Sequence, residues 1–103
     1  MFGLSDEHLT EIRKAFADNG LNVRDVLVFG SRVLGNYRYN SDIDLAYKAG
    51  EGNVAEIREK INKARNYLEE ETFLPYKFDI LIYEEIENDK LRQHIDHFGK
   101  SLG

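Results

Sequence analysis

Apolar residues recur along this chain at two different intervals, which separate helices from strands. Leu9, Ile12 and Phe16 are spaced by three and four residues, which predicts a helix that ends before Asn19. Three further helical segments are predicted at 31–35, from residue 54 to about 70, and after residue 88. Three segments rich in β-branched and aromatic residues are typical of strands: 23–29, 42–47 and 77–83. The order α-β-α-β-α-β-α predicts an α/β domain in which helices pack on a small sheet.

Polar residues suited to helix capping precede three of these helices: Ser5, Asn53 and Asn88. The last helix is expected to turn three apolar side chains inward: Leu91, Ile95 and Phe98. The segment 26–29 is continuously apolar, so helices are expected to cover both faces of the first strand.

Composition narrows the class of protein. With 103 residues, 42% of them apolar, the chain is expected to fold as one domain covering residues 1–103. It has no cysteine, which excludes disulfides and indicates a reducing compartment. No apolar run approaches the length of a membrane helix, so no membrane association and a cytoplasmic location are expected. The formal net charge of −5 disfavours long nucleic acids but is compatible with a small nucleotide.

Two aspartates, Asp42 and Asp44, are separated by one residue in the second predicted strand. Side chains at i and i+2 share a face, so the two carboxylates would lie side by side while Ile43 points into the core. Adjacent like charges are costly unless a cation neutralises them, and oxygen ligands suit Mg²⁺ or Mn²⁺ better than zinc. The alternative is a solvated pair on an exposed strand, although aspartate is depleted in strands.

A third carboxylate, Asp79, interrupts the otherwise apolar third strand. It would face the same way as Leu81, toward a covered side of the sheet, where an unpaired charge is strongly disfavoured. If this strand is next to the second one, three carboxylates converge and could hold one or two hard cations. The alternatives are a structural pair with arginine or lysine, or a partly wet strand edge.

Gly30 and Ser31 follow the first strand directly. Glycine lets the backbone approach a ligand, and the N–H groups of the turn, with the serine hydroxyl, can hold a phosphate. The sequence is not that of a P-loop: Gly30 and Gly35 have the required separation, but Asn36 and Tyr37 stand where lysine and serine or threonine are required. It fits neither a Rossmann turn nor a nucleophile elbow.

Taken together, Gly30-Ser31, ten residues and then Asp42-x-Asp44 resemble the GS-x10-D-x-D signature of the minimal nucleotidyltransferase (MNT) family. This family belongs to the DNA polymerase beta-like superfamily. The fuller match is FGSR-x2-G-x2-R-x2-SDIDL, and Asp79 in KFDILIY corresponds to the third carboxylate of the family. The resemblance extends from about residue 26 to 83. It implies an α+β-like polymerase beta fold with a small mixed sheet flanked by helices.

The resemblance also implies a mechanism. Asp42, Asp44 and Asp79 would be the catalytic metal ligands for two Mg²⁺ ions, or Mn²⁺, with Asp79 helping to deprotonate the acceptor hydroxyl. Gly30 and Ser31 would bind the phosphates of ATP or another nucleoside triphosphate. AMP or another nucleoside monophosphate would then be transferred, with release of pyrophosphate.

Arg32 and Arg38 are candidates for further nucleotide contacts, although for Arg32 a solvated surface position is favoured. Leu34 stands where many relatives carry arginine, and Tyr39 where many carry proline. Tyr37 and Tyr39 could stack on a base, but packing is the more common role of such tyrosines.

Stand-alone MNT proteins are commonly paired with HEPN-domain proteins as toxin–antitoxin modules. The resemblance therefore implies an antitoxin that attaches AMP to a HEPN partner, with a homodimer as a further possibility. Two alternatives remain open, a non-catalytic antitoxin and an antibiotic-modifying nucleotidyltransferase. His94 and His97 have a spacing that could bind metal, but no further ligand is evident, and both are interpreted as structural.

Overall fold

Helices and strands alternate along the chain in a computed structural model, which describes residues 1–38 and 41–103. The helices in these residues are α1 (Asp6–Asp18), α2 (Ser31–Leu34), α3 (Val54–Asn66) and α4 (Asp89–Phe98). The strands are β1 (Val26–Phe29), β2 (Ile43–Tyr47), β3 (Phe78–Ile82) and β4 (Lys100–Ser101). The predicted order of helices and strands is confirmed, with β4 added at its end. Tyr39, one of the two candidate base-stacking tyrosines, lies outside the described residues.

The four strands form one mixed sheet in the order β3-β2-β1-β4. β1 is antiparallel to both β2 and β4, whereas β2 and β3 run parallel. A parallel pair needs a long crossover connection, which α3 and the segment after it provide. The second and third strands are thus neighbours, which meets the condition set for their aspartates to come together.

The larger core lies between one face of the sheet and the helices α1 and α3. Val28, Ile43 and Leu45 point into it from the sheet, and α1 contributes Ile12 and Phe16. Because side chains alternate along a strand, this burial of Ile43 directs Asp44 to the opposite face.

The opposite face carries a smaller core beneath α4, which confirms that both faces of β1 are covered. Phe29, Ala46, Ile86 and Ile95 are its buried residues. The predicted inward position of Phe98 is wrong, since this side chain is 48% exposed. The small core ends near Ile95, and the Phe98 ring lies at the end of α4.

The predicted caps are confirmed, but some element ends differ from the predictions. The side chains of Ser5, Asn53 and Asn88 each accept a hydrogen bond from the backbone three residues later. β1 begins at Val26 because the Asn22 side chain accepts from Arg24 N–H and starts a 3-10 turn over Val23–Asp25. The regular turns of α3 end at Asn66, and a π-helical turn, Tyr67–Glu71, completes the predicted segment.

Within the part of the chain that the structure describes, no helix combines the length and apolar character needed to cross a membrane.

Candidate active site

Strand pairing brings two of the three predicted aspartates, Asp44 and Asp79, to one end of one sheet face. Asp44 on β2 pairs with Phe29 on β1 and with Asp79 on β3. Residues paired across strands project to the same side, so the side chains of Asp44 and Asp79 are lateral neighbours, with strands spaced about 4.8 Å apart. Asp42 directly precedes β2, two residues before Asp44, rather than lying within the strand as predicted.

The electrostatics of Asp44 show that the other two carboxylates act on it. The pKa of Asp44 is raised first by burial and then by the negative charges of Asp79 and Asp42. The positive charge of His94, when the imidazole is protonated, acts in the opposite direction and lowers the pKa of Asp44. Ionised Asp44 is therefore held in an unfavourable field, which a bound cation would relieve.

Exposure differs among these aspartates. Asp42 and Asp79 are exposed to solvent, and Asp44 is partly buried. The expectation that Asp79 points to a covered side of the sheet is wrong. Leu81 is partly buried against the small core under α4, whereas Asp79 lies outside that core and is exposed to solvent. Among the described residues Asp79 forms no ion pair with lysine or arginine, so the structural pair considered as an alternative is not found there.

The Gly30–Ser31 turn lies directly against Asp44. Gly30 has φ 77° and ψ −151°, a conformation that is essentially restricted to glycine. A Cβ atom at this position would overlap Oδ2 of Asp44. The Gly30 carbonyl accepts from the N–H groups of Val33 and Leu34, which starts α2 immediately after the turn. The structure requires glycine at position 30 because only a residue without a Cβ atom lets the turn approach the Asp44 carboxylate so closely.

His94 is a residue of this site that the sequence interpretation did not place there. Its Nε2 atom accepts a hydrogen bond from Gly30 N–H at 3.0 Å, so α4 is tied to the turn. No short-range pattern could reveal a contact between residues 64 positions apart. His97, the other histidine of the predicted pair, is exposed.

Arg32 is buried, with only 3% of its surface exposed, so the favoured surface position is wrong. Its guanidinium donates to the carbonyls of Ser41 at 2.9 Å and Phe2 at 3.3 Å. It also lies 4.7 Å from the ring centroid of Tyr37 and 4.9 Å from that of Tyr76. This placement fixes the segment just before Asp42, whereas a direct contact with nucleotide stays a prediction.

Arg38 occupies the opposite kind of environment. Its side chain is exposed, and its backbone N–H donates to Ser41 Oγ at 2.6 Å. The two arginines look equivalent in the sequence, but they differ in solvent exposure. Arg32 is buried, whereas Arg38 is exposed to solvent.

The donor set fits a magnesium ion that shares its ligands with a substrate. No group of three or more metal-binding side chains is already gathered to hold an ion anywhere in residues 1–38 and 41–103. Mg²⁺ commonly takes one or two carboxylates and completes its octahedron with water and substrate phosphates. Asp42 and Asp44, with Asp79 beside them, match that mode of binding because their oxygens are hard and negatively charged.

The mixed sheet, its three carboxylates and the adjoining glycine-serine turn define a nucleotidyltransferase type of domain, and comparison with known proteins agrees. Residues 10–102 match the family model described as polymerase beta, nucleotidyltransferase. The chain belongs to this family, as a minimal nucleotidyltransferase of the polymerase beta-like superfamily.

One solved structure is similar over most of the chain. It is described as "Crystal structure of the toxin-antitoxin with AMP-PNP" and shares 25% sequence identity with a TM-score of 0.62. The match covers 92% of this chain and 72% of the other. No curated protein sequence matches significantly.

Proposed function

We propose that this protein is a Mg²⁺-dependent nucleotidyltransferase that transfers AMP from ATP to a hydroxyl group of a partner protein. The observation that carries the proposal is the pairing of Asp44 with Asp79 at one end of a sheet face, with Asp42 two residues before Asp44 and Gly30 directly against the Asp44 carboxylate. Carboxylates beside a turn with N–H and hydroxyl donors can bind metal and phosphate together.

Each residue has a distinct role in the proposed reaction. Asp42 and Asp44 would hold Mg²⁺, which supplies positive charge to the phosphate oxygens and to the attacking oxygen when bound. Ser31 would donate hydrogen bonds to the triphosphate, and Arg38 could reach it from the exposed loop. Asp79 would ligate metal and accept the proton of the acceptor hydroxyl. The acceptor oxygen forms a bond to the α-phosphorus while the bond from that phosphorus to the bridging oxygen breaks, so pyrophosphate leaves.

The proposed biological role is that of an antitoxin that modifies a HEPN-domain toxin. The similar solved structure is a toxin–antitoxin with AMP-PNP, an ATP-like nucleotide. A likeness at 25% identity over 92% of this chain supports a corresponding pairing here. The HEPN identity of the partner, the choice of ATP and the hydroxyl acceptor belong to the proposal.

The test is a transfer assay with the protein encoded by the adjacent gene. ATP labelled at the α-phosphate is expected to label the partner in the presence of Mg²⁺, and ATP labelled at the γ-phosphate is not. Transfer should be lost in Asp42→Asn and Asp44→Asn and retained in Asp89→Asn, an exposed aspartate in the first turn of α4.

Two results would contradict the proposal. Label from the γ-phosphate would indicate phosphoryl transfer instead. A non-catalytic antitoxin would be indicated if the wild-type protein neutralised the partner without transferring label and the Asp44→Asn variant neutralised it equally well.

A further inference from the structure

We infer that His94 is a positioning residue for nucleotidyl transfer, which holds the Gly30–Ser31 turn against Asp44 through the Gly30 N–H. The inference rests on the proposed function, because it assigns the turn a role in binding triphosphate. It adds a residue of α4 to a site whose other members lie on β2, β3 and the turn after β1.

The bond fixes which nitrogen of the ring carries the proton. A backbone N–H can only donate, so Nε2 of His94 is the acceptor at 3.0 Å, and in the neutral ring Nδ1 bears the hydrogen. The ring is held by two aromatic neighbours, with centroids 6.1 Å from Phe29 and 5.4 Å from Phe98. Its edge-on contact with Phe29, at an interplanar angle of 73°, directs the imidazole to the end of β1.

Gly30 needs such an external contact because glycine has little conformational preference of its own. It populates positive and negative φ about equally, so the turn is not fixed by local sterics. In the folded chain both polar backbone groups of Gly30 are engaged: the carbonyl starts α2, and the N–H meets His94. The two bonds together fix the peptide units on either side of Gly30, the second of which leads into Ser31.

The same bond gives the Gly30 N–H an acceptor other than the carboxylate beside the glycine. Oδ2 of Asp44 is the atom that a Cβ on Gly30 would strike first, so this oxygen lies close to the glycine. Without an acceptor on α4, the freed N–H would need another partner in a turn that already lies against this carboxylate. His94 thus leaves the Asp44 oxygens available to a cation while it sets the position of Ser31.

Two substitutions separate the hydrogen bond from the mere presence of a side chain. His94→Leu removes the acceptor, whereas His94→Gln retains an acceptor oxygen at a similar reach. His97→Leu and His97→Gln are the matched controls, since His97 is exposed on the same helix. Steady-state transfer by the full chain gives KM for ATP and kcat, and binding of the MgAMP-PNP complex gives an independent dissociation constant.

The expected pattern is specific to His94→Leu. Loss of one hydrogen bond should raise KM for ATP and the dissociation constant of MgAMP-PNP about 3- to 10-fold, with a smaller change in kcat. His94→Gln and both His97 variants should stay within about twofold of wild type. Equal losses in His94→Leu and His94→Gln, or no loss in either, would overturn the inference.

Wild-type protein provides a measurement that does not depend on how the variants fold. An N–H···N bond transmits a scalar coupling between its two nitrogens, so ¹⁵N-labelled protein at pH 8 should show one between Gly30 N and His94 Nε2. Its absence would refute the bond and with it the inference. Failure of the proposed function has a different outcome: wild type would transfer no label even though the coupling is present and MgAMP-PNP binding still distinguishes the variants.

Discussion

Asp44 contributes to the proposed chemistry at the expense of the stability of the metal-free fold. Burial raises its pKa first, and the charges of Asp79 and Asp42 add to this effect. Ionised Asp44 therefore costs more free energy in the folded, metal-free protein than in the unfolded chain. Sites selected for activity commonly include such destabilising groups.

We expect Asp44→Asn to raise the melting temperature of the metal-free protein at pH 7 and to lower transfer activity by about 100-fold or more. The amide keeps the shape of the carboxylate but removes its charge and its affinity for metal. Thermal unfolding in EDTA measures the first effect, and the transfer assay measures the second. Glu87→Gln, an exposed carboxylate after β3, is the control and should change neither. A lower melting temperature for Asp44→Asn would contradict the electrostatic argument.

Arg32 and Arg38 are expected to respond in opposite ways to the same substitution. Arg32→Met leaves the carbonyls of Phe2 and Ser41 without their donor and should cost about 2–4 kcal/mol of unfolding free energy. Arg38→Met should change stability by less than about 0.5 kcal/mol but raise KM for ATP about 3- to 10-fold. Urea unfolding and steady-state kinetics separate the two. A marked loss of stability in Arg38→Met would show that its side chain is structural.

The sequence predicts residues whose position follows from local periodicity. Alternation along a strand is sufficient to direct Ile43 into the core and Asp44 to the opposite face. The burial of Arg32 and the contact of His94 with Gly30 depend on tertiary structure. Each involves partners that are distant in the chain, and no spacing rule encodes them.

At the scale of elements, β4 shows why short segments escape prediction. It has two residues, too few to show a periodic pattern of apolar and polar positions, yet it pairs with β1 and forms one edge of the sheet. Leu102 follows it and is 1% exposed, with its N–H donating to Val26 and its carbonyl accepting from Arg13. The strand is defined by these contacts rather than by its own sequence.

Leu102→Ala should therefore destabilise the protein by about 2–4 kcal/mol, as expected for a leucine removed from a packed core. Leu34→Ala is a matched control because Leu34 is 52% exposed, and its loss should cost less than about 0.5 kcal/mol. Chemical unfolding of both variants measures the difference. Equal effects would mean that the C-terminal segment does not pack as described.

Glu84 joins the turns that follow β2 and β3. Its two carboxylate oxygens accept from the N–H groups of Ala49 and Gly50, each at 2.9 Å. Burial raises its pKa, but the hydrogen bonds from Ala49, Gly50 and its own backbone N–H, together with the charge of Lys48, leave the pKa below the ordinary value of 4.5. The unfolded chain therefore binds this proton more readily than the folded one.

The stabilisation from Glu84 should be complete above about pH 5 and lost as the pH falls through its depressed pKa. Since the side chain is exposed, Glu84→Gln should cost less than about 1 kcal/mol at pH 7. Urea unfolding of wild type and variant between pH 3 and 7 would show this difference shrinking toward acid. A difference that is constant across the range would rule out the carboxylate as its source.

On the scale of the whole molecule, the two faces of the sheet are covered unequally, and the site lies where cover is incomplete. α1 and α3 bury one face, whereas α4 covers only part of the other and leaves Asp42 and Asp79 in solvent. The order of elements predicted both layers. It did not predict where α4 would end relative to the carboxylates, because that depends on the small core around Ile95.

A site that is open and negatively charged until it binds its cation should link ligand binding to the stability of the entire domain. A ligand that binds only the folded state stabilises it by RT ln(1 + [L]/Kd), which is about 1.4 kcal/mol at ten times Kd. For a domain of this size that corresponds to a rise in melting temperature of roughly 5–10 °C.

We expect MgAMP-PNP to produce this shift in wild type, and AMP-PNP with EDTA to produce much less. The double variant Asp42→Asn, Asp44→Asn should melt at the same temperature with and without MgAMP-PNP, because it lacks both carboxylates proposed to hold the metal. A shift of equal size in that variant would mean that the nucleotide binds elsewhere on the molecule. It would contradict the proposed role of Asp42, Asp44 and Asp79.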